Sequence, residues 1–519
     1  MKLKKQLGFI EVFSIACGAM ISSGIFILPG IAHAKAGPAV IVSYLFAGIL
    51  ATTGMLSQAE LVSAMPKAGG DYFYVTRTLG PAVGTVAGVL TWFSLSLKSS
   101  FALVGIAAFA NLIFRINIHF VAILFCIIFI VINIIGIKEA GKTQLVLVAG
   151  LLGLMLFYVF RGLPAVNIHN FDPFAPEGFT AVISTAGFVF ISFGGLLKIS
   201  SIAEEVKNPG RTIPLAMIFS LLIVTMLYML VIFVTSGVLG AEKLDNSLTP
   251  ISDAAEVFLG VPGKILLSIA AILAFTSTAN AGIMSAARYP LALSRDNLFP
   301  SFLSEVNGKY KTPFYSIVLT GILIVISLFL KLDILVKIAS TVLILSYLFS
   351  CISIIILRES KIQNYQPVFH SPIYPWIQII GIFGFGLFIF KMGKQALFAS
   401  FIFFLLGFLI FLLYGRKRTK MQYALLHIIE RAIDKTFLKD RSLESELKEI
   451  IKERDEIKID RFDKIIEKSP ILDIGKKMEM YEFFKITAKE ISKEIHIEPD
   501  KILKQLLRRE RESSTAIIF

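Results

Sequence analysis

At 519 residues the chain could hold three or four soluble domains, but 55% of it is hydrophobic, 45 residues are Phe and only 17% are charged. Mean hydropathy is +0.76, and apolar runs of about 18 residues or more follow one another to about residue 414, which excludes a soluble globular protein. The net charge of +14 lies mainly in that apolar part, because the last 105 residues balance 25 Lys/Arg against 21 Asp/Glu; it reads as loop charge setting topology, with no nucleic-acid partner.

The basic opening Met1–Lys5 leads into a first apolar run too long and too broken by glycine for a cleaved signal peptide. Twelve spans are expected, at about 9–31, 38–64, 81–112, 119–137, 143–161, 178–201, 213–238, 262–292, 314–330, 333–357, 373–391 and 396–414. With the N-terminus inside, the cytoplasmic loops of this part collect fifteen Lys/Arg and the outer loops nine, which favours cytoplasmic N- and C-termini in the cytoplasmic membrane. Cys17, Cys126 and Cys351 sit in apolar runs and read as buried small hydrophobes, with neither disulfide nor metal-ligand spacing. The six histidines are assigned no role.

Span one carries Gly18-Ala19-Met20-Ile21-Ser22-Ser23-Gly24-Ile25-Phe26 at its middle. Glycine and serine clustered there weaken the helix, and backbone groups freed at bilayer depth need another partner, which a solute or ion can supply. Span six repeats the feature with Phe190-Ile191-Ser192-Phe193-Gly194-Gly195, followed by Leu196, Leu197 and Lys198. Two interrupted helices five spans apart are what a five-plus-five inverted repeat predicts. Free N–H groups and the positive end of a following half-helix suit a carboxylate, and carbonyls ending the preceding half suit an ammonium or metal cation. The competing role for these glycines is close helix packing.

Four stretches together resemble the amino acid–polyamine–organocation (APC) transporter superfamily: Gly18–Phe26, Ala59–Tyr74, Glu204–Pro214, and Ala287-Arg288 with Ser294–Pro300. The resemblance implies an all-α polytopic membrane protein of twelve transmembrane helices, with broken helices one and six, alternating access, and an amine or amino acid as solute. On matching positions it nominates Ile21, Ser22, Ser23 and Gly24, then Ile191, Ser192, Phe193, Gly194 and Gly195, as solute-binding backbone, with Ser99 and Ala102 beside them. It also implies a cytoplasmic gate at Glu60, Glu204 and Glu205, holding cations such as Lys67, Lys207 or Arg288. No catalytic constellation is present, so a secondary transporter is expected and an enzyme is not. An inorganic cation carrier, or a sensor signalling through its tail, are the alternatives.

Lys98 in span three and Lys198 in span six are the costly residues, at about 2.5–3.5 kcal/mol or more each at bilayer centre. Either serves coupling or charge compensation, or has a plain partner: carbonyls or water for Lys98, Glu204 for Lys198. Family members often carry a small, polar or acidic residue where Leu197 stands. With a lysine next to that position, an acidic or neutral solute is expected over a basic one. For coupling, the lysine that some proton-coupled relatives keep in span five aligns with Gly150. Span eight offers hydroxyls at Thr276, Ser277 and Thr278, and Ser277 and Thr278 with the carbonyls of Ala19 and Ser22 could form a sodium cage. No cofactor is expected beyond Na+ or H+ as coupling ion.

Beyond the membrane part (1–414), residues 415–460 read as an amphipathic helical linker, with apolar spacing through 421–435 and a second helix capped by Ser442 through Leu447, Ile450 and Ile451. Residues 461–519 form a small soluble α or α/β region. Glu510-Arg511-Glu512-Ser513-Ser514-Thr515-Ala516-Ile517 resembles the start of a fructose/mannitol-type enzyme IIA domain of the sugar phosphotransferase system. The Pro-His pair that follows in that family is missing, so a regulatory ligand or protein partner is expected here and phosphoryl transfer is not.

Overall fold

The computed structural model describes residues 5, 7–67, 69–114, 117–135, 141–310, 312–362, 364–418, 423–426, 447–451, 479–495 and 498–512. Two compact units emerge, Met1–Arg454 and Asp455–Phe519. Among the described residues nine helices are long and apolar enough to cross a bilayer, and three shorter apolar helices accompany them. The chain is a multi-pass helical membrane protein.

Span one is split into α1 (Phe9–Ile25) and α2 (Leu28–Ala36), and span two is α3 (Val40–Ala64). A short α4 (Asp71–Leu79) precedes α5 (Pro81–Phe114), α6 (Ile118–Ile135) and α7 (Gly141–Gly162), which are spans three to five. Span six runs as α8 (Gly178–Val189), a 3-10 turn (Phe190–Phe193) and α9 (Leu196–Ser201). Then come α10 (Pro209–Leu239), short α11 (Ala241–Asp245), and α12 (Pro250–Arg295), which kinks at Gly260, where φ is +70°. The series closes with α13 (Phe314–Ser327), α14 (Leu332–Ser360), α15 (Trp376–Lys391) and α16 (Lys394–Ile410).

Span two packs along span seven, three along eight and four along nine (α3 on α10, α5 on α12, α6 on α13), while α1 meets the interruption of span six. Pairing spans one to four with the span five later is what a five-plus-five repeat produces about its axis. The central spans are buried and the peripheral ones keep Phe, Leu and Ile on their outer faces, as Phe383, Phe390, Phe398 and Phe401 show, which suits hydrocarbon as solvent.

The break in span one falls later than the glycines suggest. Gly18 through Ile25 remain helical and the chain opens at Phe26–Ile27. Pro29, in the first turn of α2, explains this: it has no N–H for the carbonyl of Ile25, and its ring crowds that carbonyl. So Ile21, Ser22, Ser23 and Gly24 belong to the last turns of α1 and are not unwound. The break in span six lies where expected, wound as a 3-10 turn with Gly194 N–H donating to Ile191 O at 3.1 Å.

In the first unit Ala424, Leu447 and Ile450 are buried within the main core. Most of 421–435, and Ser442, lie outside the described residues. In the second unit α17 (Met480–Ile495) and α18 (Pro499–Glu512) pack through Phe484, Ala488, Ile502 and Leu503. Ser513 through Ile517 lie outside the described residues.

Candidate functional site

The interruption of span six meets the last turns of α1, ahead of the span-one break, and the two meet backbone to backbone. A Cβ added at Gly195 would stand 2.8 Å from the backbone N of Met20 and 2.9 Å from the carbonyl carbon of Ala19; one at Gly24 would collide with the Ser192 side chain. Gly195 has an ordinary helical φ of −63°, so its missing side chain serves the close approach of α1 and not an unusual backbone. Ile21, Gly24, Ile191, Ser192 and Phe193 are all buried at this crossing.

Three tyrosines donate to buried carbonyls of α1 and of the span-six turn. Tyr228 on α10 donates to Met20 O at 2.7 Å and reaches Ser192 O at 3.4 Å, so one hydroxyl ties α1 to the span-six break. Tyr44 on α3 donates to Gly24 O at 2.7 Å, and Tyr347 on α14 to Phe193 O at 3.3 Å. Ser340 on α14 holds the entry to the 3-10 turn, donating to Phe188 O at 2.6 Å and accepting from Ile191 N–H at 3.1 Å. These residues escaped the sequence reading. Their only signal is a phenol or hydroxyl in an apolar span, which needs a buried partner.

Both membrane lysines come to this region and each is 3% exposed. The Lys98 amine donates to Ile191 O at 3.4 Å, and that of Lys198 to Thr278 O at 3.4 Å. Ala102 is buried in α5, but Ser99 bonds back to Leu95 O at 2.9 Å and abuts Gly282 on α12, so its hydroxyl is used between spans three and eight. Of the sodium-cage candidates, Ala19 and Thr278 are buried, while Ser277 lines an apolar crevice of about 180 Å³ together with Gly18, Gly150 and Ala274. A Cβ on Gly150 would meet nothing within 4 Å.

At the end of the bundle that holds the N-terminus, Glu60 is fully buried and takes Arg358 in a two-pronged contact (2.8 and 2.6 Å), with Tyr365 OH at 3.1 Å and Ser371 N–H at 2.7 Å. Arg358, on α14, thus fills the place expected for Lys67, Lys207 or Arg288; the bidentate fork suits a buried carboxylate better than an ammonium does. Arg288 instead reaches Glu205 at 3.4 Å and Ser201 O at 3.2 Å, and the backbone of Leu7 pairs with Glu205 and Lys207. Glu204 lies beside Glu205 in the same 3-10 turn. A second buried cluster joins Asp71, at the head of α4, to Thr91 at 2.6 Å and Tyr289 at 2.9 Å. Burial pushes the Asp71 carboxyl up to about 6 against the opposing effect of the two hydroxyl donors. Arg77 and Tyr72 share Asp296 at 3.0 and 2.6 Å.

The opposite end is closed by more open ion pairs. Lys35 and Lys337 share Asp333 at 2.7 and 3.2 Å, with the three side chains 23 to 39% exposed. His33, given no role from sequence like the other histidines, is buried here and pairs with Asp245 at 2.6 Å. A cavity of about 190 Å³ is lined by Lys35, Lys337, Ser184, Thr185 and Phe188.

Comparison with known proteins adds three relatives. The chain is 29% identical to the branched-chain amino acid permease BcaP of Bacillus subtilis, over 81% of this chain and 95% of that protein. It is also 29% identical to the methylthioribose transporter of Bacillus subtilis, over 80% and 95%, and 27% identical to cationic amino acid transporter 1 of Arabidopsis thaliana, over 69% and 63%. The amino acid permease family matches residues 7–425, which hold both breaks and the ion pairs at both ends of the bundle and leave the tail outside. The chain therefore belongs to the amino acid permease family, within the APC superfamily, and is a transporter and not an enzyme.

Proposed function

We propose that the protein is a secondary active transporter carrying an amino acid across the cytoplasmic membrane by alternating access, with both termini inside. The observation that carries this reading is the crossing of the two interrupted helices at Gly195, Met20, Gly24 and Ser192. Such a junction offers half-helix ends of both polarities to a zwitterion's carboxylate and ammonium. The relatives support the solute class, since two of the three named above are called amino acid carriers, and the loop excess of Lys/Arg supports the orientation. Rocking of the breaks against the surrounding spans would open one gate while the other stays closed.

For coupling, the reading that fits the lysines best is proton coupling or ion-free exchange. The Lys198 amine stands on the Thr278 carbonyl, beside the oxygens a sodium cage would use. Uptake equal in sodium and choline buffers is expected; strict dependence on sodium would restore the cage of Ala19, Ser22, Ser277 and Thr278. The helical tail is proposed to take a regulatory ligand or protein.

Counterflow in liposomes tests the main reading. Vesicles preloaded with a mixture of unlabelled amino acids should accumulate the transported one in labelled form. Binding of an amino acid without any counterflow would make the protein a sensor, and counterflow of metal cations alone would make it a cation carrier.

A further inference from the structure

We propose that Lys98 determines the specificity of the solute site, and that it selects acidic amino acids by giving its amine to the solute's side-chain carboxylate. This rests on the reading that the chain carries amino acids at the crossing of the two interrupted helices. Lys98 sits on α5, 3% exposed, with its amine 3.4 Å from Ile191 O and 3.4 Å from where a Cβ on Gly194 would be. The amine therefore lies against the 3-10 turn of span six.

Its bonding is incomplete. Ile191 O already receives the Gly194 N–H at 3.1 Å, and among the described residues no carboxylate pairs with Lys98. An ammonium has three donors, and at this depth a basic group without a counter-charge is costly enough to need a partner. The carbonyls that could instead receive a solute ammonium are approached by protein hydroxyls: Tyr228 at Ser192 O and Tyr347 at Phe193 O. The turn of span six thus presents donors where a site for a basic solute would present acceptors.

The wider surroundings have the same sign. Lys198 flanks the other side of the break, buried to the same degree. Lys35 and Lys337, which share the single carboxylate of Asp333, line the cavity at Phe188, the residue whose carbonyl shares Ser340 with Ile191. A side-chain carboxylate on Lys98 would complete its hydrogen bonds and supply the missing counter-charge.

A thermal-shift titration of the purified full chain in detergent tests this, with L-aspartate, L-glutamate, L-leucine and L-lysine as probes. In the wild type, aspartate or glutamate should raise the melting temperature at concentrations at least about tenfold below leucine, with lysine weakest. Lys98→Gln should weaken the acidic solute by about tenfold or more and leucine by clearly less, as loss of one charge-assisted hydrogen bond requires, and equal weakening of both overturns the assignment. Leucine or lysine binding more tightly than both acidic solutes in the wild type overturns the assignment and leaves the amino acid reading standing. No shift with any amino acid overturns both. Should Lys98→Gln fail to fold, the wild-type ranking decides alone.

Discussion

The two ends of the bundle are closed by different chemistry. At the N-terminal end Glu60 is 0% exposed and its carboxylate takes four donors from Arg358, Tyr365 and the Ser371 backbone. At the opposite end Asp333 is 39% exposed and divides itself between two lysines. A buried pair, once broken, leaves a charge out of water, whereas a solvated pair hands its partners back to water. The difference teaches where parting a pair costs more: Asp333 returns its charge to nearby water, whereas Glu60 without Arg358 must be re-paired or wetted.

Breaking the N-terminal end should have the largest effect. Arg358→Ala strands Glu60 in the core and should destabilise the fold by about 3–5 kcal/mol, read as a large fall in melting temperature in detergent; the double variant Arg358→Met/Glu60→Gln should recover most of it. Next comes the crossing between the two ends. Gly195→Ala places a methyl against the backbone of Ala19 and Met20, which cannot give way as a side chain can, so about 1–3 kcal/mol is expected, together with loss of counterflow.

Asp71 sharpens the comparison through pH. Its carboxyl stands at about 6 in the fold against 3.8 when free, so the folded state holds a proton more tightly than the unfolded chain. This contribution to stability is full below about pH 4 and is lost as pH rises through about 6. Melting temperatures of the wild type and Asp71→Asn across that window should differ in slope, with the asparagine variant lacking this part of the decline. The smallest effect belongs to the opposite end. Asp333→Asn should change stability by at most about 1 kcal/mol, yet make a cysteine at Ser184→Cys in the neighbouring cavity react faster with a thiol reagent.

Most of the fold was legible because it rests on long apolar runs and on interruptions whose cause is local. Gly194 and Gly195 mark the span-six break where it occurs. The span-one break was misplaced, since the cause is Pro29 rather than Gly18 or Gly24, and Gly24 is needed for the Ser192 side chain across from it. The gate was half legible: the sequence shows that Glu60 needs a cation, but Arg358 is almost 300 residues away and only the fold brings it there. Tyr44, Tyr228, Tyr347 and Ser340 were invisible for the same reason, as a hydroxyl in an apolar span says that it has a partner and not which one.

The central claim is that an amino acid is held where the two interrupted helices cross. It is tested most directly by binding of the labelled solute found by counterflow to two tryptophan variants, each taken as the monodisperse fraction from size exclusion. Gly195→Trp fills the crossing, while Gly386→Trp adds bulk on α15, where a Cβ meets nothing within 4 Å. The structure predicts wild-type binding for Gly386→Trp and none for Gly195→Trp; binding retained by Gly195→Trp would contradict it.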